Sequence, residues 1–324
     1  MVEIVTLGEA LIDFVSCETG VTLAEALSFE KAFGGAPANV AVDLARLGVE
    51  VGFIGKVGDD EFGRFLADSL RKEAVSTEGL VFDSLVRTTL AFISLTKEGE
   101  RDFMFYRHPG SDMLLRQEEI DRKILDSARI VHFGSLSLTH EPARSAVLNV
   151  VASRRRQGTL ISFDPNLRLS LWLSREEARV QINKALEYAD IVKLSEDELV
   201  FLTGNIEPET ACRRIFRNPI KLIFVSLGKK GCYYFNGESE GRVEGFEVEV
   251  VDTTGAGDGF TAAVLANLLP LVQEGRDLRE LTSSELLGMG RFANAVGATI
   301  VGKRGAVSGS PYWEEVMDFL SKHG

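Results

Sequence analysis

Short apolar segments alternate along this chain with longer segments in which apolar residues recur every three or four positions. The short segments predict buried strands at Ile4–Leu7, Val51–Val57, Ile130–Phe133, Leu160–Phe163, Ile191–Leu194 and Leu222–Leu227. The longer segments predict amphipathic helices at Ala38–Leu47, Glu61–Glu73, Pro142–Arg156, Glu176–Ala189 and Gly257–Leu269. Because strands and helices follow one another in turn, the pattern predicts an α/β fold with a mostly parallel sheet covered on both faces.

Two segments interrupt this alternation, residues 11–33 and residues 88–107. In the second, Thr89–Leu95 and Arg101–Tyr106 are rich in strand-forming residues and flank Lys97-Glu98-Gly99-Glu100, a sequence typical of a hairpin turn. We interpret the two segments as a small β-sheet lid. It is inserted into a main domain made of residues 1–10, 34–87 and 108–324.

Composition and charge narrow the classes of function. The chain has 324 residues, of which 45% are hydrophobic and 26% are charged, as expected for a globular protein with a large core. Its net charge of -12 disfavours a nucleic-acid-binding face. No apolar run approaches the ~20 residues that span a bilayer, and the first residues do not resemble a signal peptide. We therefore expect a cytoplasmic protein with neither membrane nor nucleic acid as a partner.

One segment, Asp252-Thr253-Thr254-Gly255-Ala256-Gly257-Asp258-Gly259-Phe260, leads directly into a predicted helix. Its small residues allow a tight turn at the helix start, where N–H groups and the helix dipole attract anions. Asp258 stands where a carboxylate could take a proton from a hydroxyl that attacks a bound phosphoryl group. The segment therefore suits phosphoryl transfer to an alcohol. A glycine-rich turn with an aspartate at a helix start explains it equally well.

A second glycine-rich segment, Gly34-Gly35-Ala36-Pro37-Ala38-Asn39, precedes the first predicted helix. The paired glycines leave room for a ligand against the backbone, and the Asn39 amide suits vicinal hydroxyls. The alternative interpretation is a simple helix entry with Pro37 in the first turn.

Together, GGAPANVAVDLARLG at residues 34–48 and DTTGAGDGF at residues 252–260 resemble the two signature motifs of the ribokinase-like (PfkB) carbohydrate kinases. Four other segments resemble the fructokinases of that family: FMFYRHPGSDMLL (103–115), HFGSLSLTHEPARSAV (132–147), FDPNLRLSLW (163–172) and VSLGKKGCYYF (225–235). The resemblance extends over residues 3–320. It implies a Rossmann-like, three-layer α/β/α domain with a β-sheet lid that closes over the sugar and excludes water.

The resemblance also implies a reaction, the ATP- and Mg²⁺-dependent phosphorylation of D-fructose to fructose 6-phosphate. Asp258 matches the family's catalytic base, which accepts the proton of the sugar's 6-hydroxyl. The backbone of Gly255, Ala256 and Gly257 matches its anion hole. The residues that the match places at the sugar are Asp13, Gly34, Gly35, Asn39 and Arg107.

For the nucleotide and ions, the resemblance implies a further set of residues. Those expected at ATP are Asn166, Arg168, Ser226, Gly228, Gly231 and Asn294. Glu198 is expected to act on Mg²⁺ through water, although Ser195 stands where the family often has asparagine. Asp252 and Thr254 leave a K⁺ site open. The lids of the family often pair, which implies a homodimer.

Other functions remain open from the sequence alone. A kinase of the same family could act on 2-keto-3-deoxygluconate, ribose or a nucleoside, and Arg107 would suit the carboxylate of the keto acid. A non-catalytic sugar-binding scaffold could keep the fold, but this chain retains Asp258 and the motif glycines. A nicotinamide dehydrogenase and a P-loop ATPase are disfavoured because their phosphate-binding motifs are missing.

Overall fold

A computed structural model describes residues 1–95, 101–303 and 305–323. The predicted hairpin turn Lys97-Glu98-Gly99-Glu100 lies outside the described residues. The strands are β1 (Ile4–Leu7), β2 (Leu11–Thr19), β3 (Phe29–Gly34), β4 (Val51–Gly58), β5 (Ser76–Asp83), β6 (Leu90–Leu95), β7 (Arg101–Tyr106), β8 (Ile130–Gly134), β9 (Leu160–Asp164), β10 (Ile191–Ser195), β11 (Leu222–Ser226), β12 (Cys232–Phe235) and β13 (Glu240–Val243).

Helices connect most of these strands. They are α1 (Ala36–Arg46), α2 (Glu61–Lys72), α3 (Lys123–Asp126), α4 (Ala143–Arg156), α5 (Arg175–Leu186), α6 (Glu196–Thr203), α7 (Pro208–Ile215), α8 (Ala256–Gln273), α9 (Ser283–Val301), α10 (Ala306–Gly309) and α11 (Trp313–Lys322). In the part of the chain that the structure describes, none of these helices is both long and apolar enough to cross a bilayer.

Nine strands form one large sheet in the order β13-β12-β11-β10-β9-β8-β1-β4-β5. All neighbours from β11 to β5 are parallel, and only β12 and β13 add antiparallel pairs at one edge. The strand order reverses next to β1, because β4 lies on one side of it and β8 on the other. In open parallel sheets, ligands bind outside the carboxyl ends of the strands at such a reversal.

The core lies on both faces of this sheet. Adjacent residues of β1 belong to different core clusters. Ile4 packs with residues of α1, α8 and α9, and Val5 packs with residues of α4 and α5. Side chains of a strand point alternately to opposite faces, so two clusters mean two covered faces. The mostly parallel three-layer α/β/α fold predicted for this chain is confirmed.

A second, four-stranded sheet has the order β3-β2-β6-β7. Its outer pairs are antiparallel and its central pair, β2 with β6, is parallel. The strands come from the two segments that interrupt the alternation of the main domain. Leu11 and Ala91 of this sheet pack against Leu136, which follows β8, so the small sheet stands beside the carboxyl edge of the large one.

Candidate active site

A cavity of about 210 Å³ lies between the carboxyl edge of the large sheet and the small sheet. The small sheet contributes Leu11, Asp13, Ile93, Phe103 and Phe105 to its wall. The main domain contributes mostly polar residues, among them Glu9, Gly35, Asn39, Asn166, Arg168, Lys193, Glu198, Gly255, Gly257 and Asp258. The two glycine-rich segments, more than 200 residues apart in the chain, therefore face one cavity.

The wall at the start of α8 is formed by the turn before Asp258. Gly255 precedes the helix with φ of 82°, a left-handed conformation that favours glycine. A Cβ atom there would lie 2.7 Å from the Cα of Ala306, so a side chain would also collide with backbone. Gly255 has no side-chain cap among the described residues, and the first N–H groups of α8 have no partner within the helix. These N–H groups are the ones that the anion hole predicted at Gly255, Ala256 and Gly257 would use.

Asp258 lies in the first turn of α8 and is 7% exposed. Two asparagine side chains orient its carboxylate. Nδ2 of Asn39, on α1, donates to Oδ2 at 2.8 Å, and Nδ2 of Asn166, after β9, donates to Oδ1 at 3.0 Å. Asn166 has φ of 43°, a conformation that asparagine tolerates better than most residues. One acid is thus held by residues from two separate segments.

Burial raises the pKa of Asp258 to about 6. The hydrogen bond from Asn39 opposes this rise, and the negative charge of Asp164 adds to it. The positive charges of Lys193 and Arg168 lower the pKa of Asp258 again. A carboxylate with a pKa near neutrality is a stronger base than an exposed aspartate and is still ionised at pH 7.

The Gly34-Gly35 turn brings another acid to the cavity. Asp13 of β2 pairs with β3 next to this turn, and a Cβ atom on Gly34 would collide with its carboxylate. Gly35 has φ of 103°, and a Cβ atom there would collide with the carbonyl oxygen of Glu9. Gly34 therefore leaves room for the Asp13 carboxylate, and Gly35 allows the segment after β1 to approach the start of α1.

Glu9 lines the cavity, although the sequence analysis did not predict it as a site residue. Its Oε1 accepts the backbone N–H of Ala36, the first residue of α1, at 3.2 Å. Its Oε2 has no hydrogen-bond partner among the described residues. Burial raises the pKa of Glu9 to about 8, so the side chain is protonated at pH 7.

Glu198 connects α6 with the loop after β9. Its Oε2 accepts the N–H of Ser195 at 2.8 Å, and its Oε1 accepts the N–H of Leu167 at 2.7 Å. Ser195 caps α6 in return, because its Oγ accepts the N–H of Glu198 at 3.2 Å. Serine at the position where the family often has asparagine thus completes a capping box. Arg168, in the same loop, places its guanidinium over the ring of Phe103 from the small sheet.

Asp252 and Thr254 form a compact turn before Gly255. Oδ1 of Asp252 accepts the N–H and the hydroxyl of Thr254 at 2.9 and 2.7 Å. Oδ2 of Asp252 accepts the N–H of Gly305 at 3.0 Å, which ties the turn to the segment before α10.

Four of the residues expected at the nucleotide lie outside the cavity wall. Ser226 ends β11 beside Ser195, so it lies at the same edge of the sheet. Gly228 and Gly231 form the next turn, both with positive φ. Asn294, on α9, is buried, and its Nδ2 donates to the carbonyl oxygens of residues 243 and 244 at 3.2 and 3.0 Å. Its amide group therefore holds the segment after β13.

Arg107 lies elsewhere than expected, because it is not part of the cavity wall. It is 3% exposed, and its Nε and Nη2 lie 2.8 and 2.6 Å from Oδ2 of Asp112. Its other donors reach the hydroxyl of Thr139 and the carbonyl oxygen of Leu136. The guanidinium is held in a buried ion pair with Asp112 at the base of the small sheet.

Comparisons with known proteins place this chain in one family. Residues 1–313 match the pfkB family of carbohydrate kinases. The Arabidopsis thaliana protein named Probable fructokinase-7 is 49% identical over 324 residues, which cover 98% of this chain and 92% of that protein.

Solved structures of fructokinases match the fold of this chain over nearly its whole length. Fructokinase from Xylella fastidiosa with bound ATP has a TM-score of 0.89 and 34% identity, and covers 99% of this chain and 98% of its own. A double mutant of fructokinase from Vibrio cholerae O395, with fructose, ADP and a potassium ion bound, has a TM-score of 0.86 and 34% identity, and covers 98% of both chains. This chain belongs to the pfkB family of carbohydrate kinases.

Proposed function

We propose that this protein transfers the γ-phosphoryl group of ATP to the 6-hydroxyl of D-fructose, giving ADP and fructose 6-phosphate. Support comes from the family, from the fructokinases that the chain resembles over 98% or more of its length, and from the fructose and ADP bound in the Vibrio cholerae relative. The observation that carries the proposal is the position of Asp258, buried beside the uncapped start of α8 in the wall of the cavity.

In this reaction, Asp258 accepts the proton of the 6-hydroxyl as that oxygen forms a bond to the γ-phosphorus. The bond between the γ-phosphorus and the bridging oxygen of ADP breaks. The first N–H groups of α8 donate to the equatorial phosphoryl oxygens, whose negative charge they stabilise in the transition state. Asn39 and Asn166 keep the carboxylate of Asp258 turned toward the hydroxyl, because each holds one of its oxygens.

The sugar side of the cavity suits a neutral polyol. Asp13 and Asn39 offer hydrogen-bonding groups for vicinal hydroxyls, and Glu9 lines the same region. The keto-acid alternative depended on a guanidinium for the substrate carboxylate, and Arg107 is already paired with Asp112. The pairing of Arg107 therefore removes the observation that favoured 2-keto-3-deoxygluconate over fructose.

Glu198 suits an outer role toward Mg²⁺, since backbone N–H groups already occupy both of its oxygens. Mg²⁺ usually keeps several waters and phosphate ligands, and when bound it neutralises charge on the transferred phosphoryl group. For K⁺, we propose the turn of Asp252 and Thr254, where the Asp252 carboxylate ties the segment before α8 to the segment before α10. Assays in K⁺ and in Na⁺ at equal ionic strength test this site.

The small sheet is proposed to act as a lid and to pair with the lid of a second copy. Its edge strand β7 carries two large exposed apolar side chains, Met104 at 44% and Tyr106 at 58% exposure. Light scattering after gel filtration tests the dimer, and a monomer at micromolar concentration would contradict it. A cytoplasmic location remains a prediction.

A coupled assay of ADP release tests the reaction. Mg-ATP is offered with fructose, glucose, ribose, adenosine and 2-keto-3-deoxygluconate in parallel. We expect the largest kcat/KM with fructose. A larger kcat/KM with the keto acid would reassign the substrate within the family, and no turnover with any compound would favour the non-catalytic scaffold.

A further inference from the structure

Lys193 is a buried cation in the floor of the cavity. It lies in the middle of β10, its side chain is 9% exposed, and its Nζ lies 3.0 Å from Oδ2 of Asp164 at the end of β9. The Asp164 side chain is 4% exposed. Lysine is almost never buried without a paired acid, and three of the other four residues of β10 are apolar, so its presence here calls for an explanation.

The pair is attached to the catalytic turn by short contacts. Nζ of Lys193 lies 3.0 Å from the point that a Cβ atom on Gly257 would occupy, directly under the first turn of α8. The hydroxyl of Thr261, on the next turn, donates to Oδ2 of Asp164 at 3.0 Å. The N–H of Asn166 donates to Oδ1 of Asp164 at 3.2 Å, and the side chain of the same asparagine donates to Asp258.

Stability does not account for this arrangement. Burying an ion pair costs desolvation that the mutual attraction often fails to recover, and apolar residues of similar size usually do as well. A second buried lysine of the chain shows the difference. Nζ of Lys56 lies 2.9 and 2.7 Å from the carboxylates of Asp83 and Glu119, so two acids surround it, and it is not part of the cavity wall. Lys193 has one such carboxylate and faces the site.

We propose that Lys193 is a positioning residue whose fixed positive charge, set under α8 by Asp164, keeps Asp258 ionised while the cavity is dry and its polar groups are desolvated. The inference rests on the proposed role of Asp258 as the base. It does not depend on which sugar is phosphorylated.

The acids near Asp258 oppose its ionisation. Asp164 on β9 raises the pKa of Asp258, and Asp258 in turn raises that of Asp43, a buried acid on α1 whose pKa is about 8, chiefly because of burial. Asp43 is therefore protonated at pH 7 and adds little negative charge. The negative charge of Glu198, on α6, helps to raise the pKa of Lys193.

The charges that favour ionisation of Asp258 are Lys193 and Arg168. Arg168 is half-buried, so water weakens its effect more than that of Lys193. His132, on β8, is neutral, because burial lowers its pKa to about 3. Loss of Lys193 would therefore leave Asp258 with a neighbouring acid and one partly screened cation, and the pKa of Asp258 would rise.

The test is the pH dependence of kcat/KM for the best sugar of the panel, in wild type and variants. Protonation of Asp258 sets the acid limb in wild type at about pH 6. In Lys193→Met we expect this limb to move up by about one pH unit or more. At pH values below the limb, kcat/KM relative to wild type should then be roughly tenfold lower than at pH values above it. Lys193→Arg should keep the wild-type limb, because it keeps the charge.

Two further variants separate this effect from damage to the fold. Lys56→Met removes a lysine of equal burial from outside the cavity, and its acid limb should match wild type whatever its stability. If Lys193→Met does not fold, Lys193→Gln, which removes the charge and keeps a polar side chain, takes its place and should show the same upward shift of the limb. The ionisation of ATP is the same in every assay and cancels.

An equal loss of activity at every pH in Lys193→Met, with the limb unmoved, would overturn the inference. So would a limb in Lys193→Arg that moves as far as the limb in Lys193→Met, because arginine keeps the positive charge. Failure of the proposed function looks different, because the wild-type protein would then turn over none of the sugars.

Discussion

The starts of α1 and α8 are two glycine-rich helix N-termini that meet at the same carboxylate and have different partners. At α1, the first N–H, that of Ala36, already donates to the buried carboxyl of Glu9. At α8, the residue before the helix, Gly255, offers no side-chain cap in the described part of the chain. A helix start that already has an acid in place is closed to phosphate, whereas an open one attracts it.

This difference supports the proposed roles of the two motifs. In that proposal, the phosphoryl oxygens bind at α8 and the neutral sugar binds near α1, where Asn39 stands one turn inside the helix. Asp258 lies between them, because its own helix supplies the phosphoryl site and Asn39 of the other helix holds its carboxylate. In the proposed reaction, Asp258 can therefore accept the proton of a hydroxyl bound near α1 while the oxygen of that hydroxyl attacks a phosphorus atom bound at α8.

The largest expected effect comes from Asp258, which lies on α8 and accepts a hydrogen bond from Asn39 of α1. Asp258→Asn removes the proton acceptor and keeps its shape, so kcat should fall by about 10²- to 10⁴-fold. ATP binding, measured by calorimetry, and the thermal unfolding midpoint should change little. Turnover equal to wild type would remove Asp258 from the role of base.

The sequence predicted the parts of this picture that are local. The six predicted strands are all present, and β1 has the predicted bounds, because strands buried on both faces are continuous apolar runs. The edge strand β5 was missed because its sequence, STEGLVFD, mixes polar and apolar residues on a half-covered edge. Gly255 and Asp258 were predictable because turn, helix start and acid occupy four consecutive positions.

The parts that were missed depend on contacts between distant segments. Lys193 and Asp164 meet because β10 lies beside β9, and strand order cannot be read from the strands themselves. A lysine inside an otherwise apolar strand was the available signal. Arg107 was expected at the substrate because it lies in a segment that resembles the fructokinases. Only the folded chain shows its buried ion pair with Asp112.

A second prediction separates the two helix starts. Gly255→Ala would force its new Cβ atom against the backbone of Ala306, so we expect kcat to fall by roughly 10- to 100-fold through displaced N–H donors. Gly35→Ala would collide with the carbonyl oxygen of Glu9, so we expect mainly a higher KM for the sugar. Initial rates with each substrate varied in turn measure both effects.

Gly48→Ala is the matched control for this pair. Gly48 has φ of 83°, close to that of Gly255, but a Cβ atom there would meet nothing within 4 Å. It should therefore cost about 1 kcal/mol of stability from backbone strain and leave both kinetic constants unchanged. If Gly255→Ala and Gly35→Ala gave the same kinetic defect, the division of labour between the helices would be wrong.

The smallest expected effect on activity concerns the acid that closes α1. The folded pKa of Glu9 is raised to about 8 from 4.5, so between these values the folded protein holds a proton that the unfolded chain has lost. Stability from this group is complete below the unfolded pKa and decreases as pH rises toward the folded one, by at most about 1.4 kcal/mol per pH unit. Glu9→Gln, which does not titrate, should lose less stability over this window than wild type.

Urea unfolding of both proteins at about pH 6 and about pH 9 measures that difference, and the variant provides its own reference because every other group titrates equally in the two proteins. Glutamine keeps an oxygen for the N–H of Ala36, so α1 should stay closed and kcat should be nearly unchanged. Identical pH dependence of unfolding would mean that Glu9 is ionised in the folded protein. A charged carboxylate would then stand at the start of α1, which would close that helix to phosphate even more firmly than a neutral one.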